Sequence, residues 1–225
     1  MSVRSLLLLA LLGVAARPAA AAAPGEPPTW TVEAALGDAF NFPTRLDVHQ
    51  LGYPVAIQHA EWETRGFESP VYWSLRATVW TGDRAWAFEL THHKLTLANP
   101  VDPVGDFRVT HGFNLLTVQR LIARGDFHAG LGAGGVIAHP ENRVRGLDLS
   151  QAGGIGGYYL AGPTGAVLAG WHHDVDRAFV MAEGRFVASY AHVPVTDGHA
   201  AVVQLGLHGH IGLGWRFGGA TMATP

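Results

Sequence analysis

From Leu205 to Phe217 the chain alternates with a period of two. The odd positions read Leu205, Leu207, Gly209, Ile211, Leu213, Trp215 and Phe217; the even ones read Gly206, His208, His210, Gly212, Gly214 and Arg216. Side chains of a strand point alternately to opposite faces, so this strand has one oily face and one of polar residues and glycine. Similar stretches cover Trp30–Phe40, Pro70–Trp80, Ala85–Leu97, Arg108–Ile122, Phe127–His139, Thr164–His172 and Ala178–His192. A run of about ten residues is what a tilted strand needs to cross a bilayer. Strands in lipid must close on themselves, because an open edge would leave unpaired amides in hydrocarbon. The pattern predicts an all-β fold: an eight-stranded antiparallel transmembrane β-barrel.

The connections support that reading. Short turns lie at TGDR, ARGD and HDVDR. Long links lie at Pro43–Ser69, Ala98–Phe107 and Pro140–Pro163, with a shorter one at Val193–His199. Short periplasmic turns on one rim and long extracellular loops on the other is the layout of an outer-membrane barrel. The aromatic ending GWRF suits a terminal barrel strand, although the segment 218–225 follows it. A soluble β-sandwich or lipocalin-like barrel is the alternative, but its outward face would be the polar one. Residues 1–23 carry Arg4, an apolar run of about a dozen residues and Ala-x-Ala sites, as in a secretory signal peptide. The expected organisation is therefore 1–23 signal peptide, 24–217 barrel and 218–225 periplasmic tail. With no cysteine and a net charge of −3, there is no disulfide framework and no basic tract for nucleic acid. A monomer is expected.

Turning the polar parity inward puts Glu33, Arg76, Glu89, Asn114, His128, Glu183, Arg185, Gln204, His208 and His210 in the lumen. Eight strands leave room only for side chains. Carboxylates and arginines confined there should pair, because an unpaired buried charge is costly. A plug is expected, with a small pore as the alternative.

The stretch ELTHHKLTLANPVDPVGDFRVTHGFNLLT, Glu89 to Thr117, ends strands in histidine. If Leu97 pairs with Asp106, His92 faces His111 across the ladder on the outer wall and Glu89 faces Asn114 inside. Phe113 and Leu115 would then point outward, with a bulge near Leu115–Leu116 restoring the parity. His139 and Glu141, in VIAHPENRV, reach the same rim. Imidazoles and a carboxylate are ligands for zinc, iron or copper and are also acid–base groups. The plainer interpretation is a polar girdle at headgroup height.

Several segments are similar to the lipid A oxidase family of the outer membrane. The matching residues are Glu89, Thr91, His92 and Lys94, then Thr110, His111, Gly112, Asn114, Leu115, Leu116 and Thr117. FESPVYWSLRATVW resembles that family's second strand through Phe67, Glu68, Pro70, Tyr72 and Arg76, and GLGAGGVIAHPE its fifth, ending in His139 and Glu141. The doubled histidine His92–His93 departs from the pattern. The resemblance implies oxidation of the proximal glucosamine of lipid A to an aminogluconate unit by molecular oxygen, at the outer leaflet of a Gram-negative outer membrane. It also implies His92, His111, His139 and Glu141 as catalytic and metal-binding residues, with Lys94 on a lipid A phosphate. GAGGVI lies on a strand with no helix after it, so no dinucleotide motif supplies the redox group. A divalent transition metal (iron, copper or zinc) is expected. Two other functions remain open: a non-catalytic structural or lipopolysaccharide-binding barrel, and a deacylase using Ser189 and His192.

Overall fold

The computed structural model describes residues 28–109, 111–149 and 154–218. The expected signal peptide and nearly all of the expected tail lie outside them. Fifteen strands occur in the described residues: β1 (Thr29–Asn41), β2 (Thr44–Gln50), β3 (Tyr53–Ala60), β4 (Trp62–Glu63), β5 (Trp73–Thr81), β6 (Arg84–His92), β7 (Leu95–Leu97), β8 (Val104–Val109), β9 (Phe113–Arg124), β10 (Phe127–Ala138), β11 (Glu141–Val144), β12 (Leu147–Asp148), β13 (Tyr159–Val175), β14 (Ala178–Val195) and β15 (Gly198–Phe217). Antiparallel pairing runs β1–β5–β6–β9–β10–β13–β14–β15 and returns from β15 to β1, from Trp30 opposite Phe217 to Asn41 opposite Gly206. These are the eight stretches with period two, and their pairings close a ring.

The outer face of the ring is apolar. Trp86, Phe88, Val118, Leu131, Ile211 and Leu213 are all more than half exposed, Ile211 at 75%. So large an apolar surface is compatible with lipid as solvent. Inside, the chemistry inverts. Arg76 Nε donates to Glu33 Oε2 at 2.6 Å and its Nη1 to Glu183 Oε2 at 2.7 Å. Arg185 holds Glu89 with both terminal nitrogens, one of them at 2.6 Å, and Glu183 with its Nε. His128 Nε2 lies 2.6 Å from Glu183 Oε2. Above this layer Tyr72 Oη bridges His208 Nδ1 at 2.8 Å and His210 Nε2 at 2.9 Å. Each charge of this lumen layer, Glu33, Arg76, Glu89, Glu183 and Arg185, has an opposite charge in contact, which is what makes a polar lumen tolerable.

The long links are not open loops. Together with the ends of the stretches beside them, they carry the seven shorter strands, which extend the wall beyond the belt. β2 continues β1 past a bend and keeps pairing with β15, from Leu46 opposite Val202 to Gln50 opposite Gly198. β3, β4, β7, β8, β11 and β12 complete the extension. Leu46, Val48, Leu95, Val104, Phe107, Val109, Val144, Ala191, Val193, Ala200 and Val202 fill its interior, each fully buried. The chain thus has a polar plug under an apolar-cored cap. The expectation that the cap region would be loop is corrected: Leu46, Val48 and Gln50 alternate as in a strand, as do Phe107 and Val109, with a register shift before them that brings Val104 to the same interior.

The expected register of the histidine hairpin is also corrected. Thr91 pairs with Leu115 and Leu95 with Val109. Between these pairs one strand advances four residues and the other six. The extra length is taken up around His111–Gly112, where Gly112 has φ of +138°, a conformation that glycine adopts freely. From Phe113 to Leu115 the parity of β9 is the reverse of that expected, whereas Val118 and Ile122 face outward as expected, and β9 pairs through Leu115–Leu116 without the expected bulge. Phe113 and Leu115 are buried inside, Glu89 faces Thr117, and Asn114 is on the outer side opposite Ile137.

Candidate functional site

The site lies where β6, β9, β10 and β11 meet the rim of the long links. His111 sits in the break between β8 and β9, and Glu141 opens β11 opposite Arg108 of β8. His139 follows β10, its backbone N–H donating to the Gly112 carbonyl at 2.8 Å. These anchors bring the side chains together. His111 Nδ1 is 2.8 Å from Glu141 Oε1, and the His111 and His139 rings are 5.1 Å apart. One ligand atom from each of His111, His139 and Glu141 falls within 4.8 Å of the others.

His139 is the buried member. The Tyr158 ring packs edge-on to it at 4.8 Å, and Tyr158 Oη donates to the His111 carbonyl at 3.1 Å. Gly157 lies close above: a Cβ there would come within 2.7 Å of His139 Cε1, so only a glycine lets this backbone cover the ring. Both ring nitrogens of His139 are buried without a hydrogen-bond partner among the described residues. Burial, reinforced by His111, holds its pKa below the ordinary 6.5, so a neutral ring offers a lone pair near pH 7. A buried imidazole with no partner is uncommon, and a neutral ring nitrogen is what a metal requires.

His92 does not join these three. It stacks on Trp73 at 5.6 Å and its Nδ1 bonds Asn114 Oδ1 at 2.8 Å. Its Nε2 is buried without a partner. The expected confrontation of His92 with His111 across the ladder is replaced by His92 beside Asn114, a consequence of the register. Lys94 Nζ donates to the Glu68 carbonyl at 2.8 Å. Burial lowers its pKa, so its cation is held at some electrostatic cost. Ser189 is buried against Thr164 Oγ1 at 2.8 Å, whereas His192 is exposed on the other face of the same strand. That pair cannot form a nucleophile and base. Tyr158, Trp73 and Asn114 were not among the expected site residues. Asn114 had a signal, its place in the strand after His111; Tyr158 lies in a link where no periodicity placed it.

No protein-family model and no curated protein matches the chain in sequence. The fold has solved counterparts. Outer membrane protein AlkL, determined in lipid bilayers, is similar at a TM-score of 0.50 and 10% identity, over 93% of this chain and 100% of that one. Ail, the attachment invasion locus protein of Yersinia pestis, aligns at a TM-score of 0.36 and 12% identity over 85% of this chain and 99% of its own. Neisserial surface protein A aligns at 0.36 and 13%, over 84% and 95%. The likeness to AlkL gives the fold, that of a small outer-membrane β-barrel.

Proposed function

We propose that this chain resides in the outer membrane of a Gram-negative cell, long links outward, and oxidises the proximal glucosamine of lipid A with molecular oxygen. The observation that carries the proposal is the convergence of His111, His139 and Glu141 on the outer side of the wall at the rim. A lipid A headgroup in the outer leaflet meets that position without entering the lumen.

The donor set of two imidazoles and one carboxylate suits a non-haem iron(II) centre with open coordination positions. His111, His139 and Glu141 would hold the metal, and it would supply the redox chemistry with dioxygen that side chains alone lack. The balance is fixed by the product. The anomeric C1–H and O1–H lose two electrons and two protons, a C1 carbonyl forms, and dioxygen is reduced to hydrogen peroxide. Water then opens the lactone to the acid. The reaction needs a free anomeric hydroxyl. His92, with its unpartnered Nε2 on the same outer side, is the base for the hydroxyl proton. Lys94 is assigned to a lipid A phosphate, exchanging its bond to the Glu68 carbonyl for a point-charge contact.

The test is mass spectrometry of lipid A from cells carrying the wild-type chain or His111→Ala. Wild type should produce the oxidised sugar under oxygen only, and His111→Ala should not, while heat-modifiable gel mobility shows the variant barrel intact. A folded variant that still oxidises lipid A fully makes His111 a girdle residue and removes the site. Wild-type cells with unaltered lipid A would leave a structural or lipopolysaccharide-binding barrel instead.

A further inference from the structure

A second group of histidines lies on the opposite side of the cap, at the tip of β2, β14 and β15. His199 pairs directly with His49 across the β15–β2 ladder, and their rings stack at 5.1 Å with planes 18° apart. On the other flank the His192 ring lies 4.4 Å from that of His199, at 32°. Three imidazoles from three adjacent strands thus form one continuous row with His199 at its centre. All three are exposed, and no described residue engages their ring nitrogens in a hydrogen bond. Beside the row, Asp47 is occupied by Arg45 at 2.8 Å. The position is clear of the lipid belt: His192 lies one outward step beyond Tyr190 on β14, and the neighbouring outward residues of β2 are the charged Arg45 and Asp47.

We infer that His49, His192 and His199 form a surface binding site for a divalent transition cation, copper(II) above zinc(II). His49 and His199 are directly opposed, and such residues have Cβ atoms about 4.5–5.5 Å apart, whereas His192, opposite Ala201, is a diagonal neighbour of His199 at about 7–8 Å, still within reach of long side chains. Exposed rings at these spacings can turn so that one nitrogen from each approaches a shared ion at about 2.0–2.1 Å, the reach of an imidazole–zinc bond. The sheet supplies the preorganisation, because β14 and β15 pair continuously through the tip to Val195 opposite Gly198. Imidazole suits copper and zinc, and copper binds more tightly in the general order of divalent affinities. His199 belongs to both adjacent ring pairs, so its loss breaks both, whereas loss of His49 or His192 leaves one pair. The site is independent of His111, His139 and Glu141 and does not rest on the function proposed for them.

The experiment titrates copper(II), and separately zinc(II), into the full chain in detergent micelles, on a His111→Ala/His139→Ala background that removes the other candidate centre. One copper per chain should bind, with electron paramagnetic resonance showing nitrogen couplings from at least two imidazoles, and zinc should compete for it. His199→Gln should weaken copper binding at least tenfold, and His49→Gln or His192→Gln less. These substitutions lie on an exposed face, so heat-modifiable mobility should be unchanged. Unaltered affinity in a folded His199→Gln chain, or a bound copper with a single imidazole, overturns the inference.

Discussion

Replacing Arg185 with methionine should destabilise the barrel by about 3–5 kcal/mol, the usual cost of removing one partner from a buried ion pair. The structure says where the loss falls. Arg185 supplies both terminal nitrogens to Glu89 and its Nε to Glu183. Glu183 keeps Arg76 at 2.7 Å and His128 at 2.6 Å after the change. Glu89 keeps the Thr91 hydroxyl at 2.6 Å and only a distant Arg76 nitrogen at 3.7 Å. The penalty is therefore chiefly that of one carboxylate at 1% side-chain exposure left without its cation. It follows that Glu89→Met in the same chain should restore most of the stability, because a well-packed apolar pair is often as stable as the ion pair it replaces. The coupling between the two substitutions should exceed about 2 kcal/mol, well outside the scatter of independent sites. Urea unfolding in phospholipid vesicles, followed by tryptophan fluorescence, measures all four chains. If the single Arg185→Met costs under about 1 kcal/mol, or the double costs the sum of the singles, the pairing does not carry the stability assigned to it.

Other expectations test the cap, the bulge and the lumen. Phe107→Ala removes a fully buried ring from the cap core and should cost about 3–5 kcal/mol there; hydrogen exchange should quicken in β8 and β11 and not in the belt strands. Gly112→Ala places a Cβ about where Asn114 Nδ2 stands, 2.1 Å away, at φ of +138°. Lipid A oxidation by that variant should fall with the barrel still heat-modifiable, and unchanged oxidation would show that the bulge does not position His111. Planar-bilayer recordings of the wild-type chain should show no stable wide pore, since an ion-paired lumen lies beneath an apolar core; a steady large conductance would contradict both layers.

The barrel was legible because its physics repeats. Period two runs through the belt strands, interrupted in β13 where its register against β10 shifts beside Val136 and Ile137, and inward parity correctly placed Glu33, Arg76, Glu89, His128, Glu183, Arg185, Gln204, His208 and His210 in the interior. Asn114 was misplaced for a local reason. The wrong face follows from the assumed pairing of Leu97 with Asp106: the observed pairing of Glu89 with Thr117 differs from it by an odd number of residues, and an odd shift of register exchanges the two faces. Gly112 was the available signal, a glycine between His111 and a strand. The cap was missed because its strands are three to eight residues long, or two, and are separated by turns, which in sequence resembles loop. Their long-range partners, such as Trp62 opposite Leu97, are contacts that no local pattern reports.

The two layers explain why the candidate chemistry sits on the outside of the wall. Most interior imidazoles are held by hydrogen bonds: His208 and His210 share the Tyr72 hydroxyl, His128 is taken by Glu183 and His93 meets Thr64 through Nε2, only its Nδ1 lacking a partner among the described residues. A titratable group already satisfied inside a sealed plug can meet neither a lipid nor a metal from solution. At the rim the balance differs. Links that cross from the belt to the cap must change direction, and the breaks at His111–Gly112 and His139–Pro140 take side chains out of strict alternation. His139 is thereby held beneath Tyr158 with both nitrogens unpartnered, while Glu141 reaches back to His111. Replacing Tyr158 with alanine should consequently expose His139 to water without touching any ligand atom. If the site depends on that cover, the variant should lose lipid A oxidation and its metal content, measured by plasma emission on the purified barrel, should fall less than that of His139→Ala, since the candidate ligand atoms remain and only the groups around them are lost. Full oxidation by the Tyr158→Ala chain would mean that the cover is only packing.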